Sequence, residues 1–244
     1  MPEPISLIPA NDAQRLQALA PYLVLGTAPD AVFDEVVRLA AKLFHVPIAL
    51  VSLVQEDSVW FKANFGMAGA ALVSRSQSLC SVAIHQEATT VYEDLLHAPC
   101  QLTEPGVAEA LQMRFYAGQP LRTAAGYAIG TLCLIDREPR LLSTAERARL
   151  HTLAEVVMKM LDLRLALLGQ PAEASTTWLQ LYYQLDQSLT RLDTLSELAR
   201  WEDSPTTPAA QQYQRSLEEE ADLITGLLDG QLTATLASLP MSLA

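Results

Sequence analysis

Two parts of the chain consist of apolar runs that are too short for helices, and these runs predict β-strands. Residues 48–54, IALVSLV, are apolar on both faces, and residues 58–65 return as a second strand after a short polar turn. Residues 113–121 and 127–135 repeat this arrangement around Gly126, because glycine tolerates the positive φ of a tight turn. Strands that are apolar on both faces are expected to be covered on both sides.

Helical spacing appears before and after these strands. Apolar residues at every third or fourth position predict a helix over residues 29–44. Ser143 and Glu146 have the spacing of a capping box, which opens a long helix that ends near Gly169. Because direct hairpins join the strand pairs, neighbouring strands are expected to be antiparallel, and the fold class is α+β rather than a doubly wound parallel sheet.

The last third of the chain has a different pattern, so we divide the chain into a domain over residues 1–169 and a helical C-terminal extension over residues 170–244. Alternating steps of three and four between apolar residues predict a heptad-like helix over residues 176–200. A polar segment with two prolines, residues 203–210, predicts a linker, and an amphipathic pattern predicts a helix over residues 211–229.

The apolar seam of the heptad-like helix has two interpretations. It can pair with a second copy of the chain in a coiled coil, or it can pack back on the first and last helices of its own domain. The seam resumes the helical pattern soon after Gly169, and we therefore expect a homodimer through the helices.

Charge excludes several classes of partner. The chain carries 16 Lys and Arg against 28 Asp and Glu, a formal net charge of −12, and no basic cluster. Binding to nucleic acid is therefore not expected. No apolar run reaches the roughly 18 residues of a membrane span, so no direct membrane insertion is expected. An odd count of three cysteines without a signal peptide predicts a reduced, cytoplasmic chain.

Taken in order, these segments resemble the GAF family of sensory domains. The resemblance begins over residues 11–63, continues through SLCSVAI at residues 78–84 and the strand pair within residues 114–140, and ends in the helix after Ser143. It implies an antiparallel sheet of five or six strands with helices on both faces. It also implies a small-molecule-sensing or protein-interaction module of bacterial signal transduction, which is not an enzyme and passes its signal through the C-terminal helices to a signalling partner protein.

The resemblance implies a ligand pocket on the sheet face opposite the first and last helices. Neither the ligand nor any cofactor follows from the sequence, and the scattered histidines do not have the spacing of a metal site. We expect the pocket to be lined by three residues from the short helix at its border and three from the strands: Cys80, Ile84, His85, Phe115, Ala117 and Leu132.

Two alternative functions are open. Some members of the family reduce free methionine sulfoxide with pocket cysteines, and here Cys100 and Cys80 would be the reacting thiols, although the glycine pattern of those enzymes is absent. The other alternative is a degenerate scaffold whose pocket is filled by its own side chains. Cys133 lies in the middle of a predicted strand and is expected to be buried and inert.

Overall fold

The computed structural model describes residues 7–23, 31–67, 69, 71–168, 171–201, 204 and 207–239. The strands are β1 (Ile48–Val54), β2 (Ser58–Phe65), β3 (Leu72–Ser74), β4 (Thr90–Tyr92), β5 (Phe115–Arg122) and β6 (Ala128–Asp136). They form one sheet in the order β3-β2-β1-β6-β5-β4, and each neighbouring pair is antiparallel. The expected α+β class and antiparallel sheet are confirmed, and β1 and β2 have the predicted bounds.

Seven helices accompany this sheet in the described ranges. They are α1 (Asp12–Leu23), α2 (Ala31–Leu43), α3 (Cys80–Ala83), α4 (Val107–Ala110), α5 (Thr144–Ala166), α6 (Pro171–Arg200) and α7 (Pro208–Ser238). The capping box at the start of α5 is confirmed, since the Glu146 N–H donates to Ser143 Oγ at 3.2 Å and the Ser143 N–H donates to the Glu146 carboxylate at 2.8 Å. None of the described helices is long and apolar enough to cross a membrane.

One face of the sheet, which we call the helical face, packs against α1, α2 and α5. Helix α6 lies against α2, and α7 lies against both α5 and α6, so the last two helices form an outer layer over this face. Buried apolar side chains of all these helices join the sheet in one continuous core. The C-terminal extension therefore shares its core with the preceding domain.

The predicted heptad seam is buried inside the chain. Trp178, Leu181, Leu185 and Leu192 of α6 are all under 8% exposed and belong to the core that α2 and α5 share. This is the arrangement in which the tail packs back on its own domain. The seam that motivated the homodimer is thus occupied within one chain, while the dimer itself stays a prediction.

Helix bounds in the extension differ from the prediction. Helix α7 begins at Pro208, inside the predicted linker, and continues to Ser238, beyond the expected end at residue 229. Gly226 and Gly230 weaken the local helix propensity, which made this end hard to place. The buried stripe nevertheless continues, and packing against α5 and α6 extends the helix. Linker residues 203, 205 and 206 lie outside the described residues.

A buried ion network attaches α1 to the sheet. The Asp12 carboxylate accepts hydrogen bonds from Arg15 Nε at 2.7 Å and from both terminal nitrogens of Arg75 at 2.9 Å. Arg15 also donates to the carbonyl oxygen of Val54 at 2.6 Å, at the end of β1. Because Arg75 belongs to the turn of 3-10 helix that leads into α3, the network fixes α1, β1 and the approach to α3 together.

Candidate functional site

The opposite face of the sheet, which we call the site face, carries α3, α4 and a second, smaller core. Five side chains near its centre bear thiol or hydroxyl groups, and we call them the thiol cluster: Ser52, Cys80, Tyr116, Thr131 and Cys133. Ser52 lies opposite Thr131 where β1 pairs with β6, and Cys133 lies two residues further along β6 on the same face. Helix α3 places Cys80 above them.

The two cysteines of the cluster are in direct contact. Cys80 Sγ lies 3.7 Å from Cys133 Sγ, and both residues are buried. Beside them, Ser52 Oγ and Thr131 Oγ1 are hydrogen-bonded at 2.8 Å, and both residues are fully buried. These two sulfur atoms and two oxygen atoms thus form a small polar group inside an otherwise apolar layer.

Hydrogen bonding makes the two thiols unequal. The hydrogen bond from Cys133 lowers the pKa of Cys80, burial opposes this, and the hydroxyls of Ser52, Thr131 and Tyr116 lower it further. The same hydrogen bond, together with burial, raises the pKa of Cys133. Loss of one proton from the pair leaves a thiolate that accepts the hydrogen bond of the remaining thiol, and the neighbouring hydroxyls favour this thiolate on Cys80.

Tyr116 connects the cluster to the third cysteine. Its hydroxyl fills the space above Gly118, where an added Cβ would lie only 2.3 Å from the hydroxyl oxygen. Its ring packs against Tyr92 at a centroid distance of 6.4 Å, and the Tyr92 hydroxyl donates to Cys100 Sγ at 3.2 Å. Cys100 is therefore linked to the cluster through two aromatic rings, whereas Cys80 touches Cys133 directly.

The cavity beside the cluster is small. It is bounded by Cys80 and Tyr116 together with large apolar side chains, including Phe61 and Met113, and its volume is about 30 Å³. Pockets for drug-sized ligands measure roughly 300–1,000 Å³, whereas about 30 Å³ is the share of one water molecule. Exposed Gln77 and Leu111 also line the cavity, so it reaches the surface. Side chains fill most of the space between α3 and the sheet.

Comparison with known proteins identifies the family to which this fold belongs. Residues 28–161, more than half of the chain, match the family model described as GAF domain. The chain belongs to the GAF domain family. It is 37% identical over 150 residues to a cyclic di-GMP phosphodiesterase of Pseudomonas aeruginosa, and the match covers 61% of this chain and 25% of that relative. The chain thus spans about a quarter of the length of the curated relative that it matches.

Solved structures resemble this GAF domain in fold. The GAF domain of a phosphoenolpyruvate-protein phosphotransferase from Acinetobacter is 16% identical, with a TM-score of 0.46, and the match covers 61% of this chain and 93% of that one. A domain of a putative two-component sensor histidine kinase protein from Sinorhizobium meliloti 1021 is 15% identical, with a TM-score of 0.47, over 59% of this chain and 98% of that one.

Two of the six expected pocket residues lie in the small core of the site face. Cys80 belongs to the thiol cluster, and Ile84, at the end of α3, is buried in the same layer. His85 is half-buried, and its Nε2 lies 3.0 Å from the carbonyl oxygen of Leu7, so the imidazole is engaged by the N-terminal segment. We place the GAF domain's candidate site at the thiol cluster and its cavity.

The three expected strand residues lie on the other side of the sheet. Phe115, Ala117 and Leu132 are buried in the core of the helical face, so they and Cys80 do not line one pocket. Side chains alternate across a strand, and the site face instead receives Tyr116 and Cys133. Both faces of β5 and β6 are largely apolar, and the polar atoms of Tyr116 and Thr131 were the one sign of which face is which. Sequence reasoning missed this sign.

The arrangement of thiols also differs from the reductase hypothesis. That hypothesis paired Cys80 with Cys100, but the thiol in contact with Cys80 is that of Cys133, and Cys100 is engaged by Tyr92. Cys133 is buried, as expected. Over the part of the chain that the structure describes, no group of three or more His, Cys, Asp or Glu side chains is placed to hold a metal ion.

A second, open cleft lies beside α4. It measures about 400 Å³ and is bounded by Met113, Arg114 and Arg137 among others. Arg114 is held by Asp94 through two hydrogen bonds of 2.7 and 2.6 Å, and Asp94 also contacts the exposed His97 at 2.6 Å. Because Met113 lines both spaces, it forms part of the wall between this cleft and the buried cavity.

Proposed function

We propose that this protein is a regulatory GAF module of bacterial signal transduction that is not itself an enzyme and acts through its C-terminal helices on a signalling partner protein. One observation carries the proposal, namely that α6 and α7 share a continuous core with α2, α5 and the sheet. A change of packing on the site face is one sheet layer away from that core. In this arrangement the helices are an output surface that is mechanically joined to the domain.

Ion pairs support this connection. They join the outer helices to the inner ones: Lys42 with Asp193, Lys159 with Asp229 at 2.6 Å, and Arg149 with Asp222 at 2.9 Å. Partly exposed pairs contribute little free energy, typically under about 1 kcal/mol each. They support the proposal because they fix the positions of α6 and α7 relative to α2 and α5.

The volume of the buried cavity favours protein interaction over sensing of a large ligand at the thiol cluster. Cyclic di-GMP, the cyclic dinucleotide in the name of the matched relative, does not fit a space of about 30 Å³. The same volume favours the competing hypothesis of a scaffold with a filled pocket. The two hypotheses differ in one respect, since a scaffold passes no change from the site face to the outer helices.

Hydrogen exchange of the full chain distinguishes them. Ile84→Ala removes buried apolar volume on the site face, and Leu96→Ala changes an exposed residue of the same face. A regulatory module predicts that Ile84→Ala speeds exchange in α6 and α7 by more than the loss of global stability accounts for, and that Leu96→Ala does not. If hydrogen exchange in α6 and α7 changes only as much as the global stability does in both variants, the result supports the scaffold hypothesis. It then contradicts the transmission of a change from the site face to the outer helices.

Two turnover assays test whether the chain is an enzyme. The purified full chain is incubated with cyclic di-GMP, and separately with free methionine sulfoxide, thioredoxin, thioredoxin reductase and NADPH. We expect no turnover in either assay. Reduction of methionine sulfoxide that Cys100→Ser abolishes would establish the reductase instead, and would contradict this part of the proposal.

Location and assembly belong to the same proposal. The three cysteines are free thiols, which suits a reducing cytoplasm. Self-association through the helices would have to use a surface other than the buried seam of α6. Sedimentation of the full chain at micromolar concentration tests this, since a homodimer requires a mass twice that of the monomer.

A further inference from the structure

We propose that Cys80 and Cys133 form an oxidisable dithiol, in which hydrogen peroxide oxidises Cys80 and Cys133 then converts it to an intramolecular disulfide. This modification site is independent of the proposed function, because the bond can form whether or not the outer helices carry a signal.

The distance between the sulfurs is the first support. They lie 3.7 Å apart in the reduced protein, and a disulfide requires about 2.05 Å. Cys133 is fixed at the centre of the sheet, because β6 is paired with β1 on one side and β5 on the other. Cys80 lies on α3, a single helical turn. An approach of under about 2 Å by this turn therefore closes the bond without moving the sheet.

The surroundings of the thiols are the second support. The Tyr116 hydroxyl is fully buried and makes no hydrogen bond to a described residue in the reduced protein, so it is available to donate to a thiolate on Cys80. The hydroxyl lies over Gly118, which pairs with Cys133 between β5 and β6, so it is placed beside the Cys133 side chain. Burial raises the pKa of Tyr116, and negative charge on Cys80 or Cys133 raises it further. Ser52 and Thr131 add two more hydroxyls. Structural cysteines in a plain apolar core have no such donors, and these donors stabilise a thiolate on Cys80.

The route by which an oxidant can reach Cys80 from the surface is the third observation that supports the proposal. The width of this route limits the size of the oxidant. The cavity that Cys80 helps to line has a volume of about 30 Å³ and reaches the surface near Gln77 and Leu111. Hydrogen peroxide is only slightly larger than water and can use this route. A hydroperoxide with a bulky alkyl group cannot do so without displacing Met113 or Phe61.

The chemistry balances with hydrogen peroxide as the only co-reactant. The Cys80 thiolate attacks one peroxide oxygen, the O–O bond breaks, and the leaving hydroxide takes a proton to become water. Cys80 is then a sulfenic acid. The sulfur of Cys133 attacks the sulfur of Cys80, the S–O bond breaks, and the hydroxide leaves as water with the thiol proton of Cys133. Two thiols and one peroxide give one disulfide and two waters.

The full-length protein tests this directly. Reduced protein is treated with hydrogen peroxide, alkylated under denaturing conditions and digested with trypsin. Cys80 and Cys100 share one tryptic peptide, so Cys100→Ser serves as the matched control that makes the linkage unique. We expect a peptide pair joined through Cys80 and Cys133, 2 Da lighter than the sum of its reduced parts, in both proteins. In Cys133→Ser, we expect a dimedone adduct on Cys80.

Rates with two oxidants test the access route. We expect tert-butyl hydroperoxide to form the linkage at least about ten times more slowly than hydrogen peroxide, and equal rates would contradict entry through the cavity. A disulfide between Cys80 and Cys100 would overturn the proposal. So would free thiols at both Cys80 and Cys133 under conditions that oxidise Cys100. The wild-type and Cys100→Ser proteins decide these points even if Cys133→Ser does not fold.

Discussion

Asp12 lies between two guanidinium groups where α1 meets the sheet, and among the described residues its carboxylate is the one negative charge that contacts Arg15 and Arg75. Asp12→Asn leaves both cations buried and uncompensated, and we expect a loss of about 3 kcal/mol in the free energy of unfolding. Asp193→Asn is the matched control, because its pair with Lys42 is partly exposed on both sides and contributes under about 1 kcal/mol. Denaturant unfolding of both variants measures the difference, and equal losses would contradict the prediction.

The same carboxylate predicts a dependence on pH. Burial alone would raise the pKa of Asp12, but hydrogen bonds from Arg75 and Arg15 outweigh it, so the pKa is lower in the folded chain than in the unfolded one. The stabilisation is therefore complete above about pH 4 and is lost as pH falls through the lowered, folded-state pKa. The stability difference between wild type and Asp12→Asn should be constant from pH 5 to 7 and shrink below pH 4. A constant difference down to pH 2 would show that the charge is unimportant.

Gly118 makes room for the Tyr116 hydroxyl on the site face. Gly118→Ala would place a Cβ 2.3 Å from that oxygen and force the ring away from Cys133. We expect a loss of roughly 1–3 kcal/mol, as for other overpacked cores. Gly126→Ala is the control, since an added Cβ meets nothing there and only the positive φ is strained. Mapping of the peroxide-induced linkage in Gly118→Ala should show slower bond formation, and an unchanged rate would exclude Tyr116 from the cluster.

Among the elements, α7 contains two glycines at positions where an alanine side chain would meet no neighbouring atom. An added Cβ at Gly226 or Gly230 meets no atom within 4 Å. Alanine lowers the entropy of the unfolded chain and costs nothing in contacts, so each substitution should stabilise the protein by about 0.5–1 kcal/mol. Thermal unfolding of the single and double variants measures this. Destabilisation by either alanine would mean that another surface covers this face of α7.

Across the whole molecule, the shared core predicts a single unfolding transition. Leu185 of α6 is fully buried, whereas Leu179 on the same helix is 53% exposed. Leu185→Ala should lower the stability of the entire chain by about 2–5 kcal/mol, and Leu179→Ala should change it by under about 0.5 kcal/mol. Unfolding monitored by far-ultraviolet circular dichroism and by tryptophan fluorescence should coincide in both variants. Early melting of the helices alone would show that the extension has its own stability.

Local patterns predicted the elements whose signals lie within one segment. Residues 48–54 and 58–65 were placed correctly, because a short apolar run bounded by turn residues admits few alternatives. The start of α5 followed from Ser143 and Glu146, since a capping box is a local contact. The resemblance to the GAF family also followed from the order of these segments, and it is confirmed.

Other features depend on residues that are distant in sequence. The face of β5 on which Phe115 and Tyr116 lie was not determined, because an apolar strand covered on both sides has no polar side to mark its orientation. The contact between Cys80 and Cys133 spans 53 residues and exists only because α3 folds over the centre of the sheet. The sequence by itself thus determined the strands, the helix start and the family. Only the tertiary structure decided which thiols meet and that the heptad seam faces inward, since an apolar stripe is buried equally well by its own domain or by a second chain.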